Sequence, residues 1–93
     1  MKRQTFANVW DALEDNPAAA ANMRARSELM IALRRKIESW KVSQTEAARR
    51  LRLTQPRLND LMRGRIEKFS LDALINVAGA AGLAVSIKIR EAA

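Results

Sequence analysis

Between residues 54 and 65 the chain reads "TQPRLNDLMRGR", and it gathers there the side chains best suited to multidentate hydrogen bonding. Gln55, Arg57 and Asn59 alternate along the stretch. An amide places a donor beside an acceptor, and a guanidinium holds five donors in a fixed fork. Such groups match base-pair edges: Gln or Asn on adenine, Arg on the O6 and N7 of guanine, each good pair giving about 1 to 3 kcal/mol of discrimination. Thr54, Arg63 and Arg65, with Arg52 just before them, suit phosphate oxygens, whose contacts fix register without reading sequence. For Gln55, Arg57 and Asn59 the plain alternative is a surface residue that meets only water. Asp60 is awkward here, since a carboxylate facing phosphates repels them. It is expected to hold Arg57 or Arg63, each three residues away; accepting from a cytosine amino group is the second reading.

Other chemistry is poorly supplied. The sequence has no Cys and no His, which removes thiolate nucleophiles, imidazole bases, disulfides and the usual zinc ligand sets together. No carboxylate cluster suggests a metal site, so neither an enzyme nor a cofactor is expected. No run approaches the eighteen or so apolar residues that span a bilayer. The basic tip of "MKRQTFANVWDALEDNPAAAA" meets acids before any signal-length apolar run develops, and a soluble, cytoplasmic protein is expected.

The elements that must position the polar stretch are helical. Thr5 can cap a short helix whose Phe6, Val9, Trp10 and Leu13 share a face. Asn16 and Pro17 open a second helix that nothing interrupts until about Trp40, with Met23, Met30, Leu33, Ile37 and Trp40 as its inward stripe. Ser43 and Glu46 form a capping box, starting a helix at Gln44 that runs to about Leu51. Thr54 caps the next, ending near Arg63 with Gly64 as its left-handed terminator. Proline suits its first turn, where the missing N–H is one the helix leaves unpaired anyway, so the Thr54 oxygen must bond the Arg57 N–H. Ser70 caps "LDALINVAGAA", and Gly82 stops it. The tail "LAVSIKIR" alternates, with Leu83, Val85, Ile87 and Ile89 on one side, and reads as a strand.

With 93 residues, of which 48% are hydrophobic, the chain can build one core and not two. The organisation is a single domain over residues 1–93: an extension over 1–16, a helical core over 17–82 and a strand over 83–90. Net charge is +7, and residues 23 to 69 hold thirteen Lys and Arg against five acids. An excess so localised is the footprint of a surface for polyanions. The competing reading is that the arginines only solvate helix faces.

Two short helices joined by a three- or four-residue turn inside that basic region suggest a helix-turn-helix. Close crossing requires small residues before the turn and apolar ones around it. Ala47, Ala48, Leu51, Leu53, Leu58 and Leu61 meet that requirement. An ordinary three-helix core explains the leucines, but not the alanine pair together with an N-cap three residues beyond the helix end.

The stretch "SQTEAARRLRLTQPRLNDLMRGRIEKFSLDALINVAGAAGL" resembles the XRE, or lambda-repressor-like, helix-turn-helix family. With "RSELMIALRRKIESW" before it and the strand after, it is similar to the small HigA-type antitoxins. The resemblance implies an all-α bundle of four to five helices with one C-terminal strand. It also implies a sequence-specific homodimer on operator DNA, commonly repressing its own operon. The subgroup adds a toxin partner, a ribonuclease of the HigB or RelE type. Two alternatives stand beside this reading: a stand-alone repressor with no toxin, and a toxin-masking module that binds DNA weakly. The family uses the residue at Gln44 for a phosphate and to brace the first residue of the following helix. It usually has glycine where Arg52 stands. Arg52 is expected to keep the left-handed turn at a cost of about 1 kcal/mol, adding positive potential near the DNA backbone.

One recognition helix reads few base pairs, so a dimer with half-sites about 34 Å apart is expected. A lone strand leaves its hydrogen-bonding edge unpaired. Pairing of residues 83 to 89 with the same segment of a second subunit would satisfy it; a toxin or the chain's own N-terminus are the other candidate partners. The element bearing Phe6 and Trp10 packs on the long helix or the second subunit, or else engages the toxin.

Overall fold

A computed structural model describes residues 16–91. The short helix expected at Thr5 to Leu13 lies outside the described residues. Four helices follow in order: α1 (Pro17–Trp40), α2 (Gln44–Leu51), α3 (Gln55–Met62) and α4 (Leu71–Ala80), with a 3-10 turn at Ile66–Lys68 between the last two.

Each start follows from a short polar side chain at the N-cap. Asn16, Ser43, Thr54 and Ser70 accept from the N–H groups of Ala19, Glu46, Arg57 and Ala73 at 3.0 to 3.2 Å. The capping box at Ser43 is one-sided, however. The Glu46 carboxylate turns away from the Ser43 backbone and accepts from Arg49 Nε at 3.0 Å and Arg50 Nε at 2.9 Å. Two guanidinium partners offer a carboxylate more than one backbone N–H does.

The helix ends are less conventional. α1 closes on Lys41 (φ 54°) and α2 on Arg52 (φ 58°), both left-handed and neither glycine. The left-handed turn expected at Arg52 is therefore present. Gly64 (φ 73°) and Gly82 (φ 82°) supply the same conformation after α3 and α4 at no steric cost.

The core lies between α1 and α4, which pack most extensively, with the α2 and α3 pair set across them. Met30, Leu33 and Ile37 of α1 meet Ala47, Ala48 and Leu51 of α2, Leu58 and Leu61 of α3, and Leu74, Val77 and Ala78 of α4. The two alanines are buried at the crossing, which is where a larger side chain would separate α2 from α3. Phe69, an aromatic outside every helical stripe, is only 2% exposed and belongs to this core. Met23 and Trp40, placed on the inward stripe by spacing, are only half-buried, and of the two Trp40 packs against the core.

The expected C-terminal strand is not formed: among the described residues there is no strand. The Leu83 N–H donates to the Ala78 carbonyl at 2.9 Å, and the Leu83 side chain packs on the core. Beyond it Val85, Ile87 and Ile89 are exposed, Ile89 to 87%. The physical reason is that a strand closes its backbone hydrogen bonds only with a second strand. Leu83, Val85, Ile87 and Ile89 thus keep their alternation without the ladder that would make it a strand.

Candidate nucleic-acid interface

α3 is aimed by its neighbours. Leu58 and Leu61 are anchored in the core at 1% and 0% exposure, which turns Gln55, Pro56 and Arg63 outward and leaves Asn59 and Asp60 half-buried at the edges. Pro56 sits in the first turn of α3, where it removes no helical hydrogen bond and stiffens the exposed end. Gln55 and Asn59, four residues apart, lie along one line of the helix surface.

Gln55 is held as well as exposed. Its Nε2 donates to the hydroxyl of Thr45 at 3.0 Å, fixing the side chain across the two helices. The brace expected from Gln44 thus comes from Thr45, one residue on, whose hydroxyl is short enough to sit against α3. Gln44 is the first residue of α2 and is exposed.

Arg57 does not stand free at the surface. Its guanidinium lies 4.0 Å from the centroid of the Phe69 ring and donates to the Lys68 carbonyl at 2.6 Å. This ties the start of α3 to the segment entering α4. Arg26 on α1 holds the same segment from the other side, donating to the carbonyls of Ile66 at 3.3 Å and Phe69 at 3.2 Å. The sequence gives no periodic sign of this double clamp, because its acceptors are backbone carbonyls in a non-repeating turn. An aromatic flanked by "EK" and "S" next to several arginines is the one available signal.

The loop after α3 carries Arg63 and Arg65, both exposed. Asp60 approaches Arg65 at 3.5 Å rather than the expected Arg57 or Arg63. The loop turns back at Gly64, bringing Arg65 over the last turn of α3, where its N–H donates to the Asp60 carbonyl at 3.0 Å. A Cβ at Gly64 would lie 3.3 Å from an Arg34 nitrogen, so the turn rests directly on α1. Thr54 and Arg52 are exposed at the opposite end of α3.

Not all the positive charge of this region is uncommitted. Arg49 and Arg50 share Glu46, and Arg50 also lies 5.1 Å from the Trp40 ring centroid. The hydrogen bonds from Arg49 and then Arg50 hold the Glu46 carboxyl down at about 2, and the bond to Glu46 raises Arg49 above its usual value. Charge remains around α3 at exposed Arg52 and Arg63, with Arg65 exposed beside its Asp60 partner, arranged about an exposed Gln55 and a half-buried Asn59. Among the described residues no helix is long and apolar enough to cross a membrane.

Residues 12–90 match a family described as a helix-turn-helix domain. A solved structure named as an XRE family transcriptional regulator is similar to the chain at 31% identity and a TM-score of 0.70, over 76% of this chain and 80% of that one. Among curated proteins there is no significant match. This family is non-enzymatic, and its helix-turn-helix is a DNA-binding unit. With that geometry and match, the chain belongs to the helix-turn-helix domain family and to the XRE family of transcriptional regulators.

Proposed function

We propose that the protein is a sequence-specific repressor, binding palindromic operator DNA as a homodimer in the cytoplasm, and the antitoxin of a type II toxin–antitoxin pair. The observation that carries the DNA reading is α3, anchored by Leu58 and Leu61, with Gln55 braced by Thr45 beside exposed Arg52 and Arg63. Gln55 and Asn59 are the base-reading residues of this proposal. Gln44, Thr54, Arg52, Arg63 and Arg65 meet phosphates. Arg57 enters as a positioning residue, because its guanidinium already serves Phe69 and Lys68.

The dimer reading is supported by the exposed alternation of Val85, Ile87 and Ile89 and by the unpaired backbone that bears them. Antiparallel pairing about a two-fold axis would satisfy both, and a dimer that reads two half-sites needs its α3 helices about 34 Å apart. The toxin reading is supported by the resemblance to HigA-type antitoxins, and it assigns a ribonuclease of the HigB or RelE type as partner.

The experiment is a gel shift on the promoter of the protein's own gene at about 50 and 200 mM salt. A specific complex at low salt, weakened at high salt, is expected. Absence of any specific complex at low salt removes the repressor function, and failure to bind the product of an adjacent small basic reading frame removes the antitoxin function.

A further inference from the structure

Two helices end in a left-handed residue that carries a cation: Lys41 after α1, with φ 54° and ψ 46°, and Arg52 after α2, with φ 58° and ψ 40°. Such a backbone is strained for any side chain with a Cβ, and glycine or asparagine adopts it at less cost. Both residues are exposed, and among the described residues neither makes an ion pair. Their backbone N–H groups cap the helices they close, as a glycine's would; among the described residues the return on each charge is attraction to the negative helix end, which water screens at an exposed site.

Lys41 and Arg52 bracket α2 on either side, Lys41 standing three residues before Gln44. From Lys41 to Thr45 only Val42 is half-buried, and Lys41, Ser43, Gln44 and Thr45 form an exposed polar approach to α2 with no acid among them. The Thr45 hydroxyl in turn touches Gln55. The left-handed cation thus stands at the entry to the helix that fixes the reading residue.

We infer that Lys41 is a DNA phosphate contact, so that each protomer holds the backbone from both ends of α2. The inference rests on the DNA-binding reading and assigns Lys41 a role beyond it. The ligand is the phosphodiester backbone and not a base, since a flexible ammonium acts as a point charge and carries no bidentate pattern.

Affinity for a labelled mixed-sequence duplex, measured by fluorescence anisotropy between about 50 and 200 mM salt, tests this on the full chain. Lys41→Gly and Lys41→Asn remove the charge and relax the backbone; Lys41→Arg keeps both charge and strain. Each neutral variant is expected to flatten the slope of log K against log salt by about 0.9 per protomer, with Lys41→Arg retaining the wild-type slope. Lys41→Gly should melt no lower than wild type, and on the order of 4 °C higher if the strain outweighs the helix-end attraction. That result shows that weaker binding does not come from unfolding. A wild-type slope in both neutral variants overturns the contact while leaving the DNA-binding reading intact. No binding by the wild-type chain at the lowest salt overturns both.

Discussion

The helix-turn-helix and the C-terminal tail carry equally regular apolar spacing and end in opposite states. α2 and α3 bury Ala47, Ala48, Leu51, Leu58 and Leu61, whereas Ile87 and Ile89 of the tail stay 73% and 87% exposed. A helix closes its backbone hydrogen bonds within its own segment, so apolar periodicity with a capping residue specifies it, and packing of that face on the core of the same chain stabilises it. A strand depends on another strand. The difference teaches that the same quality of pattern specifies a helix within one chain, but for a strand specifies only a need for a partner.

The largest effect that sharpens this comparison lies in the helical region. Leu61→Ala should lose about 2 to 5 kcal/mol, read from urea unfolding, because Leu61 is fully buried between α3 and the rest of the core. A chain ending at Gly82 should instead keep its helical circular dichroism and elute as a monomer in size exclusion. If the shortened chain still elutes as a dimer, the tail is not the interface.

A smaller loss tests whether a cation beside α3 serves the fold or the ligand. Arg57→Ala should cost about 1 to 2 kcal/mol of stability, since it removes a charge-assisted bond to Lys68 and the stacking on Phe69. At a salt and temperature where both proteins are folded, its preference among operator variants should match wild type. A selective loss at one base pair would return Arg57 to the base-reading set.

The smallest effect is at α2. The Glu46 carboxyl, held at about 2 against an ordinary 4.5, stabilises the folded chain in its charged form. That contribution is complete above about pH 4.5 and lost as the pH falls through about 2. Glu46→Gln should lower the melting temperature slightly at pH 7, by a difference that shrinks as the pH falls through about 2, and so remove this part of the acid dependence. An identical acid profile in the two proteins would mean that the Arg49 and Arg50 bonds do not persist in solution.

Most of the fold was legible because its signals are local. Asn16 with Pro17, Ser43, Thr54, Ser70, Gly64 and Gly82 bound the helices by their own backbone chemistry, and the alanine pair marks the crossing. The candidate site was legible in its members more than in their roles. Gln55, Arg52 and Arg63 are exposed and Asn59 lies half-buried at the edge of α3, while Arg57 turns aside to an aromatic twelve residues further on. The Asp60 pairing went to Arg65 because the turn at Gly64 reverses the chain, which a count of helical steps does not foresee.

By itself, then, the sequence determined the helices, their caps, the apolar faces that meet in the core, and the concentration of positive charge over residues 23 to 69. Each depends on neighbours within a few positions or on composition, and so survives without knowledge of the fold. The tertiary structure decided which polar groups remain available. It spent Arg26 and Arg57 on the carbonyls of Ile66, Lys68 and Phe69, set Thr45 against Gln55, and left the tail unpaired. Those outcomes depend on distances between segments far apart in sequence, which only packing fixes.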